Sequence, residues 1–150
     1  SDSEAQSMQE EIKNNNDFLG KTDVTGPGIV ITIKASSIDN QLKEDLDSII
    51  NELKNAGAES FEINEQRIIF NSVITCKENT IEVNGTSIQS PFIIQAIGDS
   101  KMIYNALMRP GGYIELLNKR VDKVQVTKAN RITIKKTDAK FSTKYMKTVT

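Results

Sequence analysis

The chain has 150 residues, 37% of them hydrophobic and 26% charged, with a formal net charge of −1; that is enough for one domain with a core of its own. No apolar run approaches the roughly 18–20 residues that cross a bilayer. There is no His and one Cys, Cys76, which argues against a zinc site, removes the commonest acid–base residue and rules out an internal disulfide.

The chain opens on Ser1 without a charged and apolar leader, so an upstream segment is expected to precede it in a longer protein. Residues 1–22 read as a helix. Ala5, Met8, Ile12, Asn15 and Leu19 keep a three-four spacing, a heptad seam with one polar Asn in it. Two heptads are too few to stand alone, so this is either the end of a longer coiled-coil stalk or a frayed helix. Gly26-Pro27-Gly28 is expected to stop the helix and act as a hinge; the competing reading, an anion-binding nest, lacks the Lys-Ser/Thr of a phosphate loop. A β-branched strand runs from Ile29 to Lys34.

Asp39 is then placed to cap a helix that ends at Ala56, with Gly57 as its stop. Leu42, Leu46, Ile49, Ile50 and Leu53 share one face, whereas Lys43, Asp47 and Lys54 occupy the other. Glu59 to Ile63 reads as a strand with Phe61 and Ile63 inward. Asn64-Glu65-Gln66 turns the chain, and Arg67 to Cys76 reads as one long third strand, with Cys76 a core thiol. Thr80–Val83 and Thr86–Gln89 flank Asn84-Gly85, a strong signal for a two-residue hairpin. Pro91 opens a strand from Phe92 to Ile97, and Asp99 caps a helix from Ser100 to Leu107. The Pro110-Gly111-Gly112 break precedes a helical turn or two over Tyr113–Arg120. Val124 with Val126, and Ile132 with Ile134, read as two strands around Lys128-Ala129-Asn130.

Residues 23–137 are thus predicted to be a single α+β domain. Stripped of insertions, its order is a ferredoxin-like split βαβ core: an antiparallel sheet with helices on one face, an inserted β-hairpin and an N-terminal stalk helix. The opposite sheet face is expected to be solvated or covered by a partner. Residues 138–150 carry no period and form a C-terminal tail that can be disordered.

Charge is unevenly spread. Lys119–Lys147 holds ten Lys or Arg against two Asp, a local balance of +8 that leaves −9 elsewhere. Lys123, Arg131 and Lys135 lie on the outward side of the last strands, where they suit anionic lipid or wall polymer, or simply a solvated edge. Nucleic acid fits poorly, given the acidic pI and few aromatics.

Four stretches, Gly26-Pro27-Gly28-Ile29-Val30-Ile31, Asn51 to Glu59, Ile63-Asn64 followed by Arg67, and Ala96-Ile97-Gly98-Asp99, occur in this order. In them the chain closely resembles a bacterial domain-of-unknown-function family, number 881, the YlxW/YlxX-like proteins. The resemblance covers about residues 20–136. It implies a protein anchored in the cytoplasmic membrane by one helix, with a coiled-coil stalk and this domain outside, encoded near division and cell-wall genes. It implies no activity and no cofactor.

Candidate site residues gather at one turn: Glu59, Asn64 and Arg67, with Glu62 and Glu65 beside them. Arg67 could clamp a carboxylate or phosphate, or pair with a neighbouring Glu to fix the turn. Asn51, next to the apolar stripe of its helix, is expected to hydrogen-bond a nearby loop. With no nucleophile motif and no His, a non-catalytic interaction domain is the leading expectation, although carboxylates alone could still build a metal site. Its partner would be a protein at the membrane or envelope, with self-association through the N-terminal helix and an edge strand within residues 79–89 open to β-augmentation. A small-ligand sensor or weak hydrolase using Glu59, Asn64 and Arg67 is the alternative.

Overall fold

A computed structural model describes residues 2–18 and 20–137. The expected tail 138–150, and the seam side chains of Asn15 and Leu19, lie outside the described residues. Helix α1 (Asp2–Phe18) leads into β1 (Val24–Lys34). Helix α2 (Asn40–Asn55) follows, with the Asp39 carboxylate accepting from the Leu42 N–H at 3.0 Å. This side chain satisfies one of the donors that a helix leaves open at its start.

The chain then forms β2 (Ser60–Ile63) and β3 (Gln66–Ile68), and next β4 (Ile74–Lys77), β5 (Thr80–Val83) and β6 (Thr86–Ile88). Strand β7 (Phe92–Ile97), helices α3 (Ser100–Leu107) and α4 (Tyr113–Asn118), and β8 (Lys123–Ile134) complete it. Three two-residue turns make the hairpins tight. Asn64-Glu65, Glu78-Asn79 and Asn84-Gly85 all have positive φ at both positions, as type I′ turns require.

The protein is mixed α+β with antiparallel sheets. The larger sheet runs β3-β2-β7-β1-β8, and β4-β5-β6 forms a second, smaller one. On the front face of the large sheet, Ile29, Ile31, Ile33, Ile63 and Ile94 meet Leu46, Ile49 and Leu53 of α2 and Ile103 and Leu117 of α3 and α4, all buried. Each such side chain stabilises the fold by roughly 1.5–3 kcal/mol. Ile74, Ile81, Val83 and Ile88 of the small sheet join the same core, with half-buried Cys76 packed against it. The back face holds a smaller cluster of Ile97, Ile132 and Ile134 with Val24, Val30 and Ala129.

Three expectations are corrected. Gly26-Pro27-Gly28 is no hinge or nest, because it lies inside β1, between β7 and β8. The β1–β8 register shifts between Gly26 and Gly28, so Asn130 and Arg131 oppose the single residue Pro27. A bulge is where a central strand tolerates Pro, whose missing N–H would otherwise break the ladder. Glycine is required next to it: a Cβ on Gly28 would fall 1.8 Å from the Ala96 carbonyl oxygen.

The long strand Arg67–Cys76 is divided. After Ile68 the Ser72 hydroxyl accepts from the Ile69 N–H at 2.8 Å and the Ser72 N–H donates to the Ile69 carbonyl at 3.0 Å. That local turn lifts the chain out of the large sheet and into the small one. Conversely, the two strands expected at 124–126 and 132–134 are one, β8, with Lys128-Ala129-Asn130 carried through as ladder and bulge.

Candidate functional site

The cluster expected at one turn is divided by the pleat and by the inserted small sheet. Asn64 closes the β2–β3 turn at φ 45°. Its Nδ2 donates to the carbonyls of Gln89 at 2.9 Å and Pro91 at 3.3 Å, while its Oδ1 accepts from the Ile93 N–H at 2.7 Å. Asn64 therefore clasps the chain as it enters β7, a structural task that employs both ends of its amide.

Arg67 is 3% exposed. Its guanidinium donates to the Thr22 carbonyl, tying β3 to the segment between α1 and β1, and its charge acts on the carboxylate of Glu62, opposite it on β2. Glu59 is exposed at the start of β2, and its N–H is taken by the Ile97 carbonyl at 2.8 Å. Glu59 and Arg67 line a groove of about 400 Å³ together with Lys54, Phe61 and Phe70. Asn64 lines a different one, of about 540 Å³. Asn51 is exposed on α2, and the hydrogen bond expected from it is not formed among the described residues.

The larger groove lies where the back face of β2 and β7 meets β6 and its flanks. Glu62, Glu65, Gln66, Gln95 and Ile93 border it. Glu62 follows from the strand period: Phe61 and Ile63 face the helices, so Glu62 faces away, opposite Arg67 on β3 and Gln95 on β7. It is nonetheless only 9% exposed, and residues 86–89 of the inserted segment line the groove beside it. Burial, and secondarily the Glu65 carboxylate, push the Glu62 pKa up, and the Arg67 charge opposes this in part.

A second polar centre escaped the sequence reading altogether. Asp45 of α2 is 1% exposed. It accepts from the Tyr113 hydroxyl at 2.6 Å, from Gln41 Nε2 at 3.2 Å and from the Arg120 guanidinium. Arg120 also lies over the Tyr113 ring, 5.8 Å from its centroid. Burial and the bond to Asp45 raise the Tyr113 pKa, and the Asp45 bond holds Arg120 above its ordinary value. This triad fastens α2 to α4. The sequence did carry a signal: Asp45 sits three residues after Leu42 and four before Ile49, on the apolar stripe itself.

Of the basic residues, Lys123, Arg131 and Lys135 are all exposed along or just beyond β8, the long edge strand of the large sheet. Lys135 pairs with Asp23 at 3.6 Å, while Lys128 turns instead over the Tyr104 ring, 5.1 Å from its centroid. Among the described residues no group of three or more His, Cys, Asp or Glu could hold a metal ion, and no helix is long and apolar enough to cross a membrane.

Comparison with known proteins agrees with this architecture. The chain is 26% identical over 127 residues to the UPF0749 protein YlxW of Bacillus subtilis, covering 79% of this chain and 55% of that protein. It is 32% identical over 102 residues to YlxX of the same organism, covering 61% and 43%. The chain thus spans about half the length of the curated relatives it matches. A crystal structure of an uncharacterized conserved protein from Mycobacterium tuberculosis superposes with a TM-score of 0.75 at 26% identity, over 93% of this chain and 99% of that one. Residues 11–147 match the family described as bacterial protein of unknown function, DUF881. The chain belongs to that family.

Proposed function

We propose that the chain is the non-catalytic interaction domain of a longer, membrane-anchored bacterial protein. It is held outside the cytoplasmic membrane on a coiled-coil stalk and serves cell division or envelope assembly. The observation that carries this reading is the seam of α1: Met8 and Ile12 are 63% and 60% exposed, four residues apart on one helix face. A second helix laid along that face would bury both, which a helix of 17 residues needs, since so short a helix is marginal in water.

The greater length of the relatives leaves room for an anchor and the rest of such a stalk. The strand order β2-β7-β1-β8, with α2 joining β1 to β2 and α3 and α4 joining β7 to β8, supports a ferredoxin-like split βαβ core. Exposed basic residues along the β8 edge, Arg131 and Lys135 near one end and Lys123 at the other, suit an acidic partner protein, or anionic lipid or wall polymer. The geometry favours this reading over a sensor or weak hydrolase built on Glu59, Asn64 and Arg67, because those side chains divide between two grooves and two of them are engaged with backbone.

In-cell cross-linking of the full-length, membrane-embedded protein tests it. Division or wall-synthesis proteins are expected among the neighbours, with a yield that falls about tenfold for Arg131→Glu with Lys135→Glu. Recovery of nothing but the protein itself would overturn the adaptor role.

A further inference from the structure

The groove beside Glu62 is separate from the basic edge and from the α1 seam. Strand geometry and the inserted sheet have put a carboxylate there that the fold itself does not use. Glu62 is nine-tenths buried, yet among the described residues its carboxylate accepts no hydrogen bond and forms no ion pair. Side-chain oxygens fully cut off from solvent all have partners, so the Glu62 carboxylate opens on the groove that it lines. Arg67, its cross-strand neighbour, offsets the Glu62 charge only in part, and its guanidinium also bonds the Thr22 carbonyl.

An isolated, desolvated carboxylate is destabilising unless something pairs with it. Here a second carboxylate, Glu65, borders the same groove, and none of the bordering residues is Lys or Arg. The local field therefore favours a cation. Pro91 and Ile93 give the groove an apolar wall, Ile93 being 37% exposed, and the carboxamides of Gln66 and Gln95 are available to amide or hydroxyl groups. Two carboxylates are too few for a metal cage, whereas an alkyl chain ending in an ammonium matches both the wall and the charges.

We propose that this groove is a binding site for a primary alkylammonium group, of the kind carried by a lysine or diamino-acid side chain, with Glu62 as its counter-ion and Glu65 as the second carboxylate. The ammonium gives Glu62 a direct ion pair, completing the neutralisation that Arg67 supplies only in part. Ile93 and Pro91 pack the methylenes, and the carboxamides read the amides on either side.

The test is titration of the folded chain, followed by NMR amide shifts, with Nα-acetyl-lysine amide as the probe and acetyl-norleucine amide and Nα,Nε-diacetyl-lysine amide as uncharged comparisons. Saturable shifts confined to residues 62–66 and 86–95 are expected for the lysine probe alone. Affinity is expected to fall about tenfold or more in Glu62→Gln and by less in Glu65→Gln, an exposed turn position that preserves the fold. Equal binding of n-pentylamine supports the site and locates its affinity in the ammonium and alkyl chain; weaker binding supports it with the flanking amides as contributors. Equal binding of the norleucine probe, an unchanged affinity in both Gln variants, or no shift at millimolar probe overturns the proposal. None of these outcomes depends on whether cross-linking finds a division partner.

Discussion

The two faces of the five-stranded sheet are built to different standards. On the front, isoleucines from β1, β2 and β7 interlock with α2, α3 and α4, and among the described residues the buried polar side chain there is the fully partnered Asp45 at its margin. On the back, a small cluster of Ile97, Ile132 and Ile134 gives way within two strands to Gln95, Glu62 and Arg67. The front face supplies the stability. The back face, being only partly closed, is where chemistry is exposed, and a residue's face predicts more about it than its strand does.

The sharpest way to break this comparison is a matched pair on neighbouring strands. Ile31→Ala, at the centre of the front face and fully buried, is expected to cost about 3–4 kcal/mol in urea unfolding. Ile93→Ala, on the back wall, is expected to cost under about 1 kcal/mol. Equal losses would mean that the back face is as tightly packed as the front.

Next in size is Asp45→Asn, expected to lower stability by about 2–3 kcal/mol, because the amide leaves the Arg120 charge at the α2–α4 contact without its counter-charge. Thermal unfolding measures it, and a further loss in the double variant with Tyr113→Phe smaller than the sum of the single losses would identify one cooperative network.

The smallest effect is Glu62→Gln, and its sign depends on pH. Burial raises the Glu62 pKa, so the folded chain keeps a proton that the unfolded chain has already released. Stability from this group is greatest below the ordinary glutamate pKa and declines as pH rises through the folded value. Glu65 and Arg67 face the same carboxylate and modulate that decline. Glu62→Gln is therefore expected to match the parent at low pH and to be slightly more stable at neutral pH, as read from unfolding curves across pH.

Local signals in the sequence carried α2, its Asp39 cap and the Asn84-Gly85 turn, because helix caps and type I′ turns are decided by residues a few positions apart. The bulge at Gly26–Gly28 was misread for the opposite reason: Pro and Gly speak locally of a break, and only pairing with Ile132 and Ala129, about a hundred residues on, makes them part of a strand. The departure of the chain after Ile68 is likewise settled by a turn that competes with continued pairing. For the site, the alternation around Phe61 and Ile63 correctly turned Glu62 away from the helices. That Glu62 nonetheless lies buried is set by tertiary packing against distant segments, which no local pattern encodes. Asp45 was visible as an acid on an apolar stripe, but its partners lie 68 and 75 positions away.

The two ends of the described domain leave it side by side. Val24 pairs with Ile134 at one end of the β1–β8 ladder, and the Thr137 N–H donates to the Gly20 carbonyl at 2.8 Å. Tension applied between α1 and the chain beyond Thr137 would act along the inter-strand hydrogen bonds, which lie across the strands, and would load them one after another like the teeth of a zip. Tension between α1 and a partner gripping the far, Lys123 end of β8 would instead run along the strands and load the whole ladder in shear. The same pair of strands is thus a weak seam in one pulling direction and a strong strap in the other.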